Sequence, residues 1–258
     1  LHKFRTNTKT QVQYKHKTNN TIIMLISLEG NIGSGKSTLL QKLKSYYPEW
    51  IFLDEPVDIW KTVQDDSTGQ DIISCFYSDQ HKYAFSFQIL AYITRLKLLL
   101  EAKRKYPDRV LVTERSIDTD HYVFAQMLYN DGKISNLDWK IYSQYIQTFS
   151  TQSKIDAVVY VDTEPNTCLQ RIHIRNREGE SNIPLTYLSS CHDYHQRWLN
   201  NPVHTAYPVY RLDSTPDVSD DVYWQIQLTN IGRLVTDCHN VKTTQPAVLS
   251  PRQIDERV

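Results

Sequence analysis

The sequence predicts an α/β fold, a central parallel sheet of about five strands flanked by helices, with an arginine-rich loop late in the chain. Short apolar runs at Ile22–Leu28, Ile51–Leu53, Val110–Thr113, Ala157–Val161 and Pro208–Leu212 alternate with stretches of helical period. The first run feeds a glycine-rich turn that opens a helix. Three chemistry-bearing stretches, Gly30–Ser37, Asp54–Glu55 and Glu114–Arg115, each follow a run. In a parallel sheet that is where ligands sit.

Taken in order, the apolar run Ile22–Leu28 reads as a strand buried on both faces, followed by a helix over Lys36–Ser45. Ile51–Leu53 is a short second strand ending at Asp54-Glu55-Pro56, and the polar turn "QDDSTGQ" precedes a helical stretch. Tyr83–Arg104 carries apolar residues at helical spacing and predicts a long helix before the third strand. Two helices follow, Asp118–Leu128 and Leu137–Thr151, then the buried strand "AVVYV" and a helix over Asn166–Ile174. A charged, glycine-containing loop spans 175–182, and Ile183–Leu199 is helical with Pro184 at its start, where a missing N–H does no harm. The last strand precedes a helix over Asp220–Val235.

A chain of 258 residues can bury a sizeable core, and one domain is expected over residues 21–239. Lys+Arg and Asp+Glu both number 29, so no global field points to nucleic acid or a membrane as partner. The apolar run Ile22–Leu28 is far too short to span a bilayer. Residues 1–20 hold Lys3, Arg5, Lys9, Lys15 and Lys17, no acid and no Ser, and so lack the Arg- and Ser-rich character of a mitochondrial presequence. They are expected as a disordered basic leader, or as sequence upstream of a start at Met24. Residues 240–258 are expected as a mobile tail. Four scattered cysteines suit free thiols in a reducing compartment, and a cytoplasmic protein is expected, with mitochondrial placement as the alternative. Cys191, His192 and His195 with Cys168 suggest zinc at first sight, but without a paired Cys-x-x-Cys knuckle they read as helix residues.

Gly30-Asn31-Ile32-Gly33-Ser34-Gly35-Lys36-Ser37, with Thr38 behind it, matches G-x-x-x-x-G-K-[ST] between a strand and a helix. Successive backbone N–H groups there curl around phosphate oxygens, and the helix N-terminus adds its positive dipole end. Lys36 would reach the outer phosphates and Ser37 would hold Mg²⁺. Two fragments resemble GTPase motifs, Asp66-Ser67-Thr68-Gly69 and Ser153-Lys154-Ile155-Asp156. The first follows no strand and the second precedes one, so both read as chance.

The acceptor side is read from Glu55 and its company. A carboxylate at the end of strand two faces the cradle and can take a proton from an attacking hydroxyl. Gln88, Ala91, Tyr92 and Arg95 occupy i, i+3, i+4 and i+7 of the long helix, with Phe87 nearby. A face mixing an amide and a guanidinium with aromatics suits a polar ligand, the amide offering two hydrogen bonds to a base edge. Asp120 and Phe124 share the next helix's face, the acid placed to pair with Arg95 and the ring to stack on a flat group. Arg171, Arg175 and Arg177 gather guanidiniums at a flexible loop, which suits the spread charge of a phosphoryl transition state.

Together these residues resemble the deoxyribonucleoside kinases of the deoxycytidine, deoxyguanosine and insect-type group. The resemblance runs from Ile22 to Asp213 and rests on "LEGNIGSGKST", "DEPVDIW", "FQ" with Arg seven residues on, "ERSIDTDHYVFA", "RIHIRNREGE" and "IPLTYL". It implies a P-loop kinase that uses ATP or another nucleoside triphosphate and Mg²⁺ to phosphorylate a deoxynucleoside 5′-hydroxyl in nucleotide salvage, acting as a homodimer through surface helices. It further implies Glu55 as general base, Arg115 as the arginine steadying it, and Glu114 with Ser37 as the magnesium site. Tyr77 and Glu180 would hold the sugar 3′-hydroxyl and Gln88 would read the base. Trp60, Phe87 and Phe124 would be aromatic walls, and Arg171, Arg175 and Arg177 lid arginines. The donor's base would meet backbone near Asp213–Val218. Ala91, Arg95 and Asp120 resemble the deoxycytidine/deoxyguanosine branch, whereas the Gly33-Ser34 pair is like the insect-type loop. A carboxylate held by Arg95 accepts hydrogen bonds from an exocyclic amine, so deoxycytidine and purine deoxynucleosides are expected over thymidine. Two other readings are a thymidylate-type monophosphate kinase, which needs an arginine clamp on the acceptor phosphate, and a catalytically silent nucleotide-binding module.

Overall fold

The computed structural model describes residues 23–177, 180, 183–214 and 220–244. Five strands, β1 (Met24–Gly30), β2 (Ile51–Leu53), β3 (Val110–Glu114), β4 (Ala157–Asp162) and β5 (Val209–Asp213), form one sheet in the order β2-β3-β1-β4-β5. Every pairing is parallel, as the alternation of strands and helices predicts. The chain leaves β1 toward one edge and crosses to the other side after β3, so the carboxyl ends of these two neighbours border the reversal where a crevice opens.

The strands' period of two divides the core. Met24, Ile26 and Leu28 pack with Leu39, Leu40 and Leu43 of α1 (Lys36–Tyr46) and with Ile231 and Val235 of the C-terminal helix (Asp221–Thr244). Leu25 and Leu111 turn the other way, against Leu99 and Ala102 of the long helix Gln80–Lys105. In between come α2 (Val57–Lys61) and α3 (Ile72–Ser78), the latter capped by Asp71, whose carboxylate accepts from Ser74 N at 2.9 Å. The long helix is therefore α4, and Asp79 caps it through Lys82 N at 3.2 Å.

After β3 the expected single helix over Asp118–Leu128 is three joined segments: α5 (Ile117–Thr119), a π-helical stretch (Asp120–Ala125) and α6 (Gln126–Asn130). Widening of this kind often accompanies functional sites. Here it carries Asp120 and Phe124. Next follow α7 (Asn136–Phe149), α8 (Pro165–Arg175), which ends on Asn176 in the left-handed region at φ 45°, and α9 (Leu185–Leu199). Cys168 and Cys191 are buried, and burial pushes their thiols up to about 11 and about 12. Cys191, His192 and His195 lie within α9, as the helical reading has it, and among the described residues no group of three or more His, Cys, Asp and Glu could hold a metal ion. No helix of the described residues is long and apolar enough to cross a membrane.

Two further expectations change. The last helix, α10, runs to Thr244 and so enters the stretch expected as a tail. Its extension is held by Lys242, which donates to Ile23 O at 2.9 Å and pairs with Asp156 at 2.6 Å. Tyr92 does not share the ligand face of α4. It is buried in a second core with Leu96 and Tyr142, and its hydroxyl donates to Tyr145 O at 2.8 Å. The expected leader, residues 245–258 and the donor-base segment beyond Ser214 lie outside the described residues.

Candidate active site

The loop between β1 and α1 is shaped by its neighbours as much as by any ligand. A Cβ on Gly30 (φ 144°) would lie 2.7 Å from Val161 O, and one on Gly33 (φ 77°) 2.5 Å from Cys168 O. The close approach that demands glycine at these positions is therefore made by β4 and α8. Gly35, just before α1, is more open, the nearest atom to a Cβ there being Arg171 Nη1 at 3.6 Å. Asn31 ties the loop to α9 by donating to Leu188 O at 2.8 Å, and its Oδ1 accepts from Ile32 N.

Lys36 is buried and folded back over the loop, donating to Asn31 O at 2.8 Å and Gly30 O at 3.1 Å. Burial and the nearby Arg115 lower its ammonium to about 8, against the pull of Glu114, Glu55 and Glu29. Ser37 Oγ donates to Glu114 Oε1 at 3.0 Å, so a hydroxyl and a carboxylate meet beside the loop.

A cavity of about 450 Å³ joins this loop to the acceptor residues. At its centre Glu55 receives Arg115 Nη1 at 2.9 and 3.1 Å and Arg95 Nη2 at 3.1 Å. Burial raises the Glu55 carboxyl, but Arg115, Arg95 and Lys36 together outweigh it and hold it well below its ordinary 4.5. Arg95 spends its other donors on Asp120, from Nε at 2.9 Å, and on Glu114 O at 2.7 Å. Arg115 sits at φ 63°, a conformation costing a side-chain-bearing residue on the order of 1–3 kcal/mol. Its guanidinium lies 5.1 Å from the Phe124 ring centre.

Aromatic walls enclose the rest. Phe87 meets Trp60 edge-on at 5.3 Å, and Trp60 Nε1 is anchored on Thr94 Oγ1 at 2.9 Å. Gln88 and Ala91 are buried on the same wall. Gln88 Oε1 and Arg115 Nε are buried polar atoms without a protein partner among the described residues. They ask for a ligand offering a donor and an acceptor. Tyr77 and Glu180 line the same space, and burial with the Glu180 carboxylate pushes the Tyr77 phenol up.

This geometry meets a consistent set of relatives. A family model for deoxynucleoside kinase matches residues 26–231. The chain belongs to the deoxynucleoside kinase family. It is 32% identical over 219 residues to a probable deoxycytidine kinase of fowlpox virus, covering 83% of this chain and 89% of that protein. To the deoxycytidine kinase of Homo sapiens it is 32% identical over 226 residues, 78% of this chain and 87% of the relative. To the mitochondrial deoxyguanosine kinase of Xenopus laevis it is 31% identical over 191 residues, with 67% and 72% covered. The chain is thus a nucleotide-binding phosphotransferase with a P-loop fold.

Of the residues expected at this kinase's site, Ile32, Gly33, Gly35–Thr38, Glu55, Trp60, Tyr77, Phe87, Gln88, Ala91, Arg95, Glu114, Arg115, Asp120, Phe124, Arg171, Arg175, Arg177 and Glu180 all line the one cavity. Gly30, Asn31 and Ser34 form the floor of the loop, with Ser34 fully buried. Arg171 is put to a different use than a free lid arginine. Its Nη1 donates to Ser34 O and Ser214 Oγ, both at 3.0 Å, and its Nη2 to Ser214 O at 2.7 Å. It braces the phosphate loop against the end of β5. The two fragments dismissed as GTPase-like are structural: Asp65–Gly69 is a surface turn, and Asp156 accepts from Leu25 N at 2.7 Å.

Sequence reading overlooked Glu29. It is fully buried, accepts hydrogen bonds from Ser27 Oγ at 2.5 Å, Ser116 Oγ at 2.7 Å and Thr119 Oγ1, and so fixes the turn that carries Arg115. An acid at the end of an otherwise apolar strand was the available signal. Tyr187 and Phe76 also line the cavity unforeseen.

The lowered ammonium of Lys36 makes a pH prediction. A polyanion binds the protonated form better, so triphosphate affinity should hold steady below about 8 and weaken above it, approaching tenfold per pH unit. Calorimetric titration of the triphosphate between pH 7 and 9.5 reads this directly, and a flat profile would remove Lys36 from phosphate binding.

Proposed function

We propose that this kinase transfers the γ-phosphoryl group of ATP to the 5′-hydroxyl of deoxyribonucleosides, favouring deoxycytidine and purine deoxynucleosides over thymidine. The observation that carries the reading is the ionised Glu55 clamped by Arg95 and Arg115 inside the cavity that also receives Lys36. A carboxylate held this low is a weak base toward a resting alcohol. Phosphoryl transfer through a loose transition state does not need a strong one, because the attacking oxygen sheds its proton as the new bond forms. Glu55 then orients the hydroxyl and takes that proton, while Arg115 and Arg95 keep the carboxylate ionised and aimed.

Lys36 and the N-terminus of α1 stabilise the transferring phosphates, and Arg175 and Arg177 face them from the lid. Mg²⁺ would be held by Ser37 and Glu114, with the remaining positions left to phosphate oxygens and water, as suits this ion. Bound there, it would neutralise charge on the phosphates. A monophosphate acceptor suits the cavity poorly. The terminal nitrogens of the arginines beside the acceptor position, Arg95 and Arg115, are committed to Glu55, Asp120 and backbone carbonyls, with Arg115 Nε left as a buried donor.

The base preference rests on Gln88, Arg95 and Asp120. Asp120 Oδ2 is fixed by Arg95 Nε and accepts readily from an exocyclic amine; thymine offers a carbonyl and a methyl there. A homodimer belongs to the same proposal. Leu137, Ile141 and Tyr145 stand exposed at i, i+4 and i+8 of α7, an apolar stripe that a second copy would cover.

Three measurements check this. With Mg-ATP and a panel of nucleosides and monophosphates, deoxycytidine should exceed thymidine in kcat/KM by about tenfold or more; the reverse order contradicts the Arg95–Asp120 argument, and turnover of monophosphates alone contradicts the acceptor. Glu55→Gln should lower kcat by roughly 10²–10⁴ with nucleoside KM changed only a few-fold; an intact kcat would free Glu55 of its role. Sedimentation velocity should give twice the chain mass, and Ile141→Glu should return the monomer.

A further inference from the structure

Glu29 is not among the residues that line the cavity, yet its side chain holds the chain neighbours of two residues that do, Arg115 and Asp120. It is the last side chain of β1 before the phosphate loop and shares a strand face with Leu25 and Ser27, away from α1. On that face its Oε1 accepts from Ser27 Oγ at 2.5 Å and from Ser116 Oγ at 2.7 Å, and its Oε2 accepts from Thr119 Oγ1. Ser116 and Thr119 also cap each other. Ser116 N donates to Thr119 Oγ1 at 3.3 Å, and Thr119 N donates to Ser116 Oγ at 3.2 Å. A hydroxyl has one proton to give, so each of these oxygens accepts from the other residue's backbone and donates to Glu29. The carboxylate is the acceptor on which the capping box closes. The donated protons and the nearby Arg115 favour its charge, against burial, which pushes the carboxyl above 4.5.

The order of residues gives this grip its reach. Arg115, immediately before Ser116, stands at φ 63° and clamps Glu55. Asp120, immediately after Thr119, opens the π-helical stretch and receives Arg95. Between these two charged residues lies only the segment 116–119, whose two capping hydroxyls both end on Glu29. We propose that Glu29 is a positioning residue for both phosphoryl transfer and base selection, holding Arg115 against Glu55 through Ser116 and Asp120 toward the base through Thr119. A displaced Arg115 loosens the carboxylate that takes the 5′ proton. A displaced Asp120 weakens the distinction between an exocyclic amine and a carbonyl. Small displacements suffice, since a shift of about 1 Å transmitted from outside the reacting atoms can cost on the order of 10²-fold in rate. This rests on the nucleoside kinase reading and the base preference above.

The test begins with Glu29→Gln, which keeps the volume but offers one oxygen, so that Ser116 or Thr119 meets an amide N–H instead of an acceptor. Initial rates with saturating Mg-ATP are measured for deoxycytidine and thymidine, with kcat and KM resolved. Relative to the native protein, kcat for deoxycytidine should fall about tenfold or more. The ratio of kcat/KM for deoxycytidine over thymidine should fall about threefold or more. A merely structural role reduces the amount of active protein, which scales kcat equally for both nucleosides and leaves KM and the ratio unchanged. That outcome, or native values throughout, overturns the proposal. Further substitutions separate its two arms and decide it should Glu29→Gln fail to fold. Ser116→Ala should act mainly on kcat and Thr119→Val mainly on the ratio, while Thr119→Ser, which keeps the hydroxyl, should restore the native ratio. A native kcat in Ser116→Ala overturns the Arg115 arm, and equal ratios in Thr119→Val and Thr119→Ser overturn the Asp120 arm. A native protein that does not prefer deoxycytidine would contradict the base reading and the Asp120 arm with it, while kcat still decides the Arg115 arm. Absence of nucleoside turnover would overturn the kinase reading and this inference together.

Discussion

Two arginines closing on one carboxylate set the terms for the rest of this molecule. Glu55 arrives from β2, Arg95 from α4 and Arg115 from the end of β3, with Asp120 completing the group from the π-helical stretch. Two acids and two bases buried together are nearly neutral in sum, and their desolvation is offset only because each bond is made. Removal of one member leaves an unpaired buried charge, at a cost of roughly 3–5 kcal/mol. The strain at Arg115 is tolerated for the same reason. Leu28 O holds its amide at 2.9 Å, and Glu29 grips Ser116 and Thr119 just beyond it. β1 therefore serves both substrates. Its end becomes the phosphate loop, and its side chain and carbonyl place the arginine that faces the acceptor.

The donor half is likewise held from behind. β4 and α8 crowd against Gly30 and Gly33, α9 ties down Asn31, and Arg171 braces Ser34. A loop fixed on so many sides presents its amides with little reorganisation, which is what electrostatic stabilisation of a phosphoryl group requires. Arg175 and Arg177 are held by their ion pairs with Glu180.

Much of this was legible in the sequence because strand ends in a parallel sheet share one edge, so residues far apart in the chain converge without any contact being known. Glu55, Glu114 and Arg115 were found on that logic, and Arg95 and Asp120 from the spacing of helix faces. Other features were hidden for identifiable reasons. Gln88, Ala91, Tyr92 and Arg95 span a broad arc of α4, and periodicity cannot say where along that arc the cavity gives way to core; Tyr92 falls on the core side. The third partner of Arg95, the backbone oxygen of Glu114, has no side-chain signature. The apolar pattern of β1 masks the direction of Glu29. Arg171 carries the same charge as its lid neighbours, and only the approach of Ser34 and Ser214 reveals a brace. The length of α10 depends on Lys242 reaching Asp156 and Ile23, residues far from it in the chain.

The claim on which the account stands is that the phosphoryl group is delivered to the hydroxyl lying against Glu55. Phosphorus NMR of the products formed from deoxycytidine and Mg-ATP tests it most directly, since coupling between phosphorus and the sugar protons identifies the esterified oxygen. The account predicts a single new monoester coupled to the 5′-methylene protons, formed in equal amount with ADP. A monoester on the 3′-oxygen, or inorganic phosphate with unchanged deoxycytidine, would contradict it.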